Sequence, residues 1–419
     1  MRVWNRNIDF GVVLAWFGLV LVGLTAIYST THGPASEFLL ETVQDNFNRQ
    51  LMWLGVSIVA GACILLFPVR FYQYGAYPAY GLLVLLLLAA LFGGTEINGS
   101  RAWLRLGPIQ LQVSEFAKVG TVLAVAQLLS SRRRNANSVR YALLSVILIL
   151  VPAAIIVVQN DMGTALIFVG LIPIMLFWSG LPASTLLLML APAVAGYLAI
   201  VYMPAAIVFS LLFTVGILWF TRERYLAFLA FVFSGGTVIA LTFAMTSLLQ
   251  PYQVKRLLSF TNPEAAEYRD NVGFHLVQSK AAIGSGGLTG KGFMQGTQTQ
   301  GAYVPEQSTD FVFSVIGEEF GLLGGIIVLL LFAFLLVRLI VLGVQIKHPF
   351  GVMVAAGAVG IYLVHVFINM GMATGILPVI GIPLPFMSYG GSALLANTMM
   401  LAIVLNLSIR RDEFSIYGY

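Results

Sequence analysis

The chain has 419 residues, of which 59% are hydrophobic and only 9% charged, and its 22 Lys and Arg against 17 Asp and Glu give a net charge of +5. An ordinary soluble domain is about 25% charged, so a water-soluble fold of this length would lack the polar surface to cover its core. A soluble globular protein is excluded and a membrane protein expected. The single cysteine also excludes an internal disulfide framework and a Cys-rich metal site.

The basic opening Met1-Arg-Val-Trp-Asn-Arg leads straight into an apolar run, with no small-residue cleavage site before Tyr28. A first transmembrane helix is therefore expected there, and not a removed signal peptide. Apolar stretches of about 17–25 residues can cross the hydrocarbon core. They fall at 9–28, 50–67, 75–92, 112–130, 141–158, 162–179, 183–202, 205–220, 226–249, 311–337, 350–373 and 387–408. The expected fold is all-α, a polytopic transmembrane helical bundle of about twelve helices forming one integral membrane domain over 1–419.

Basic residues concentrate in cytoplasmic loops, and this bias sets the orientation. With the N-terminus inside, the inner segments collect Arg2, Arg6, Arg70, Arg132-Arg133-Arg134, Arg140, Arg222, Arg224, Arg338, Lys347 and Arg410-Arg411. Flipping the chain would put the Arg132–Arg134 run outside in a short loop. Both termini are therefore expected in the cytoplasm, with extracytoplasmic loops at 93–111 and 250–308. Against the bias, Arg49, Arg101, Arg105, Lys255, Arg256, Arg269, Lys280 and Lys291 lie outside. An anionic ligand is the simplest compensating reason. A loop as long as 250–308 is itself commonly functional.

In the 93–111 loop and the helix after it, Asn98-Gly-Ser-Arg-Ala-Trp begins as a turn, Ser114 could cap the helix, and Glu115 and Lys118 stand three apart on one face. Such a pair inside a membrane either neutralises itself or lines a polar cavity. Trp103 reads equally as an interfacial anchor. The glycine run Gly284–Gly292 lacks the Gly-Lys-Ser/Thr ending and preceding strand of a nucleotide loop. It reads as tight turns, although its amides and Lys291 could cradle an anion.

Asp310 sits where the long loop re-enters the membrane, ahead of Phe-Val-Phe and of Glu318 and Glu319. A carboxylate at that boundary is a candidate general base or, alternatively, a helix N-cap. His275 and His365 lack metal-ligand spacing and read as polar packing residues. Asp161 is a further oddity at membrane depth. The stretch Gly375–Ser392, with Pro378, Pro383 and Pro385 among glycines, is expected to be a non-helical re-entrant segment.

Several of these segments together resemble one family. Gly-Ser-Arg-Ala-Trp, Val-Ser-Glu-Phe-Ala-Lys, Asp-Met-Gly-Thr-Ala, Ala-Ile-Gly-Ser-Gly-Gly-Leu-Thr-Gly-Lys-Gly-Phe, Thr-Asp-Phe-Val-Phe-Ser-Val-Ile-Gly-Glu-Glu-Phe-Gly and Gly-Ile-Pro-Leu-Pro-Phe-Met-Ser-Tyr-Gly-Gly-Ser are similar to the motifs of the SEDS (shape, elongation, division, sporulation) proteins. They occur in order over nearly the whole chain. Gly-Lys-Gly-Phe followed by Gly-Thr-Gln-Thr-Gln is closer to the elongation member than to the division member.

The resemblance implies a peptidoglycan glycosyltransferase that polymerises lipid II on the outer side of the bacterial cytoplasmic membrane. The implied partners are a class B penicillin-binding protein and other elongation-complex membrane proteins, with no nucleic acid among them. It also implies Asp310 as the catalytic residue, with Arg101, Trp103, Glu115, Lys118, Lys280 and Lys291 at the substrate. A divalent cation, Mg2+ or Mn2+, with ligands unknown, would assist the leaving diphosphate. Two departures stand out: Ser308 replaces a histidine usual in the family, and 201–249 reads as a helix pair inserted into a ten-helix core. A lipid II flippase and a non-catalytic scaffold are the alternative functions.

Overall fold

Long apolar runs in a membrane must satisfy every backbone amide internally, and helices do so segment by segment. The computed structural model describes residues 8–34, 36, 41–97, 99–107, 109–130, 139–248, 251–263, 265, 273–346 and 348–411. Arg2, Arg6, Arg132–Arg134, Arg269 and Lys347, which the orientation reading uses, lie outside those residues.

In chain order the helices are α1 (Phe10–His32), α2 (Glu41–Gln44), α3 (Asn46–Leu66) and α4 (Val69–Gly93). Three short strands follow, β1 (Thr95–Ile97), β2 (Ser100–Leu106) and β3 (Ile109–Gln112). Then come α5 (Val113–Ser130), α6 (Val139–Val158), α7 (Met162–Trp178), α8 (Ala183–Val201), α9 (Met203–Thr221), α10 (Arg224–Phe243), α11 (Pro251–Ser259) and α12 (Phe274–Ser285). The chain closes with α13 (Val312–Glu319), α14 (Gly321–Ile346), α15 (Pro349–Thr374) and α16 (Gly391–Ile409). Eleven of these are long and apolar enough to cross a membrane, and α7 is a shorter apolar helix. The chain is a multi-pass helical membrane protein, and each of the twelve expected stretches overlaps one of these twelve helices.

Three details differ from the sequence reading. The 93–111 loop folds as an antiparallel sheet in the order β1-β2-β3 and does not remain a simple turn. The stretch 311–337 is broken: α13 ends at Glu319 with Phe320 as its C-cap, and Gly321 at φ +64° restarts the chain as α14. A side chain at Gly321 would collide with the Gly290 amide, so the break is built around glycine. The last span starts at Gly391, not at 387.

The chain divides into two compact units. The first holds Met1–Ser179, Gln278–Thr374 and Ile380–Tyr419. In its α5, α15 and α16, 72%, 78% and 72% of the most apolar stretch is buried, against at most 39% in the other long helices. These three form its centre, with α15 packing on α5, α7, α14 and α16. The remaining apolar faces are left for lipid to cover. Asp9 pairs with Arg338, and Arg410 donates to the Leu66 carbonyl, so these groups share one end of the unit.

The second unit, Gly180–Val277 with Gly375–Val379, is described by itself. In it α8, α9 and α10 pack mutually through Leu188, Ile217 and Ala230 and through Ala195, Ala206 and Val238. The helix pair read at 201–249 corresponds to α9 and α10.

Candidate functional site

The first unit's other end carries the polar residues singled out in the sequence. On β2, alternation places Arg101, Trp103 and Arg105 on one face, opposite the buried Ala102. Arg101 Nε donates to Glu96 Oε2 at 3.1 Å, in a largely exposed pair. Trp103 is half-buried, and Arg105 Nε donates to the Gly107 carbonyl. The sheet is tied down by Gln112. Its backbone amide donates to Ser392 Oγ (3.0 Å) and its side-chain amide to Asp161 Oδ2 (3.1 Å). Asp161 in turn caps α7, accepting from the Thr164 amide.

One turn into α5, Glu115 and Lys118 are 2% and 1% exposed at the side chain. Lys118 Nζ donates to both Glu115 carboxylate oxygens at 2.9 Å and to His365 Nε2 at 2.8 Å. Three donors thus meet three acceptors, so the ammonium has no proton left over for a substrate. Ser114 does not cap the helix: it lies within the first turn, fully buried, with its Oγ unpartnered. His365, read from sequence as a packing residue, is the third member of this cluster.

Asp310 sits just outside α13, whose N-cap position falls on Phe311. Its backbone carbonyl accepts from Asn369 Nδ2 at 2.8 Å, and the same nitrogen donates to the Ile382 carbonyl at 2.7 Å. The side chain lies against Gly381, where an added Cβ would stand 3.1 Å from Asp310 Oδ2. Gly381 has φ +78°, a second reason for glycine.

As expected, residues 375–390 are not helical. Backbone of that kind is tolerated at membrane depth only when the protein itself satisfies it. Around 382–390 it does. The Pro383 carbonyl meets His365 Nδ1 at 2.9 Å, Gln50 donates to the Ser388 carbonyl and accepts from the Gly390 amide, and the Tyr389 amide donates to the Ser308 carbonyl at 2.8 Å. Ser308, which stands where the resemblance expects a histidine, is buried and contributes its backbone carbonyl.

The glycine run wraps the end of α13. Added side chains at Gly286 or Gly290 would strike the Gly317 or Glu319 carbonyl, so close backbone packing, not a phosphate loop, accounts for these glycines. At the centre is Glu318, fully buried. It accepts from Lys291 Nζ (2.7 Å) and from the Gln298 and Thr299 amides (2.9 and 2.8 Å). Burial pushes this carboxyl up, but the amide and ammonium donors outweigh it and hold it down at about 2. These donors favour the charged form of Glu318. Lys291 also bonds Ser285 and Thr297, so its charge is answered within the protein. Lys280 is exposed, with no ion pair to another described residue. Glu319 bonds Ser29 of α1 and Gln300.

The fold therefore brings Glu115, Lys118 and His365 together, and Asp310 with Asn369 and Gly381. Arg101 and Trp103 stand on the sheet, and Lys291 is bound to Glu318. Sequence reasoning missed Asn369, Gly381, Glu318's role and His365. Their partners are 13 to 247 residues away in sequence, although a polar Asn369 in an otherwise apolar span was a visible signal. Among the described residues no three His, Cys, Asp or Glu side chains gather at one place, although a Mg2+ ion is commonly held by one or two carboxylates together with substrate phosphates.

Comparison with known proteins gives consistent matches. The family model described as Cell cycle protein, FtsW/RodA/SpoVE, matches residues 10–210 and 203–413. The peptidoglycan glycosyltransferase RodA of Treponema pallidum (strain Nichols) is 30% identical, over 97% of this chain and 98% of that protein. The peptidoglycan glycosyltransferase MrdB of Escherichia coli (strain K12) is 32% identical, over 88% and 86%. Among solved structures, a chain from work on the structural coordination of polymerization and crosslinking by a peptidoglycan synthase complex is 29% identical, covering 97% of this chain and 99% of its own, with a TM-score of 0.74. The crystal structure of the rod shape determining protein RodA of Thermus thermophilus is 27% identical, with coverage of 97% and 98% and a TM-score of 0.62.

Proposed function

Because the chain belongs to the FtsW/RodA/SpoVE family, we propose that it is a peptidoglycan glycosyltransferase that polymerises lipid II into glycan strands on the outer side of the bacterial cytoplasmic membrane. The observation that carries the chemistry is the setting of Asp310. Its carbonyl is clamped by Asn369, and its carboxylate lies against the one residue type that leaves it room.

Glycosyl transfer needs a proton removed from the acceptor sugar hydroxyl as that oxygen attacks the anomeric carbon. Asp310 takes that proton. The bond to the diphosphate breaks, and the negative charge left on the polyprenyl diphosphate is held by external cations. Arg101 and Arg105, flanking Trp103 on one face of β2, and Lys280, which has no ion pair among the described residues, suit that task. Lys291 is less suited, since Glu318 already holds it. No step is assigned to a metal.

Orientation follows from the basic residues. Arg410, Arg411 and Arg338 belong to the cytoplasmic end of the first unit, and Asp310 to the outer one. A class B penicillin-binding protein as partner is supported by the likeness to a chain of a peptidoglycan synthase complex.

The direct test is purified protein incubated with lipid II and resolved for glycan polymer. A ladder of glycan strands supports the enzyme. Lipid II movement across vesicles without polymer would favour a flippase, and neither outcome a scaffold.

A further inference from the structure

The buried ion pair on α5 and the clamp on Asp310 meet on α15. An ammonium has no lone pair, so His365 Nε2 must accept from Lys118. The ring proton is then on Nδ1, and that N–H donates to the Pro383 carbonyl at 2.9 Å. Four residues later, one helical turn along α15, Asn369 Nδ2 donates to the Ile382 and Asp310 carbonyls. Two consecutive carbonyls of the re-entrant segment are thus held by residues one turn apart. The residue just before them, Gly381, forms the surface against which the Asp310 carboxylate rests.

We propose that His365 is a positioning residue for Asp310, and that the Glu115–Lys118 pair acts through it by fixing the ring tautomer that grips the re-entrant segment. The inference rests on the reading of Asp310 as the general base. All three side chains, of Glu115, Lys118 and His365, are at most 2% exposed and have their polar atoms engaged with one another or with Pro383. They reach the reaction only through the backbone they hold. Without Lys118 as donor, Nε2 is free to carry the proton, and the Pro383 carbonyl loses its partner. Gly381 and Ile382 then lose their register against Asp310. Misplacement by about 1 Å far from the reacting atoms can lower a rate on the order of 10²-fold.

The test uses the full-length protein with three variants: His365→Leu, His365→Gln and the double change Glu115→Gln/Lys118→Met. The double change removes both charges together and so avoids stranding one in the membrane. Polymerisation, lipid II binding and amide hydrogen exchange are measured for each. For His365→Leu the polymerisation rate should fall on the order of 10²-fold with lipid II affinity unchanged. Exchange should accelerate about tenfold, the scale of one lost buried hydrogen bond, in peptides spanning 306–311 and 381–390 and not elsewhere.

The Gln amide can accept from Lys118 and donate to Pro383, so His365→Gln should restore most of both effects. The double variant should loosen the same two peptides. Unchanged exchange there in His365→Leu or in the double variant overturns the proposal, whatever happens to activity. So does equal loss in His365→Leu and His365→Gln. If Asp310→Asn still polymerises, the reading of Asp310 falls instead, and the exchange data still judge the clamp.

Discussion

The side-chain amide of Asn369 donates to the backbone carbonyl of Asp310 at 2.8 Å while also holding the Ile382 carbonyl at 2.7 Å. One buried nitrogen therefore joins the end of the long loop to the re-entrant segment. Replacing Asn369 with Leu leaves two carbonyls without that donor inside the protein. The expected loss is about 1–3 kcal/mol of stability, with a larger proportional loss of polymerisation than of lipid II binding. Thermal unfolding in detergent and steady-state kinetics check both.

Gly381 gives a sharper version of the same test. At φ +78° an alanine is strained, and its Cβ would stand 3.1 Å from Asp310 Oδ2. Gly381→Ala is expected to destabilise by about 1–3 kcal/mol and to displace the carboxylate. Activity should drop well below what the remaining folded fraction explains, as read by polymer yield per folded protein.

How much of this was readable in advance depends on distance along the chain. Apolar runs located each span, because hydrocarbon thickness sets their length. The break at Phe320-Gly321 was passed over because the flanking apolar residues were read as one run, although Glu318 and Glu319 interrupt it just before the break. The sheet at 95–112 left a faint trace in the alternation Arg101-Ala102-Trp103-Leu104-Arg105, which the turn reading passed over. Asp310 stood out in the sequence as a carboxylate at the start of an apolar run. The pairing of Lys118 with His365 across 247 residues, and of Lys291 with Glu318 across 27, required the fold.

Glu318 carries a pH signature. Its carboxyl is held down at about 2 from an ordinary 4.5. A depressed acid contributes stability that is full above its unfolded pKa and lost as pH falls toward the folded one. The loop from Ser285 to Gln300 should therefore keep its protease resistance at neutral pH and lose it progressively below about pH 4.5. Glu318→Gln should show that loosened state already at pH 7. A loop equally resistant in the variant would count against this role.

Among Arg101, Lys280 and Lys291, binding effects should follow pairing. Lys280 lacks an ion pair to another described residue, whereas Lys291 is tied to Glu318 and Arg101 to Glu96. Lys280→Gln should weaken lipid II binding with reduced salt sensitivity, since each released phosphate contact contributes to the salt dependence. Lys291→Gln should act mainly by loosening its loop. Titrations with labelled lipid II at two salt concentrations separate the two.

The measurement that bears most directly on the central claim is polymerisation by Asp310→Asn. The asparagine keeps the size of the side chain and leaves the carbonyl that Asn369 holds, so the protein should fold and bind lipid II as the parent does. General-base assistance contributes roughly 10²–10⁴-fold in rate, so glycan polymer should fall by that factor, to near the limit of a gel. Asp310→Asn protein that folds normally and polymerises lipid II at close to the parent rate would contradict the account.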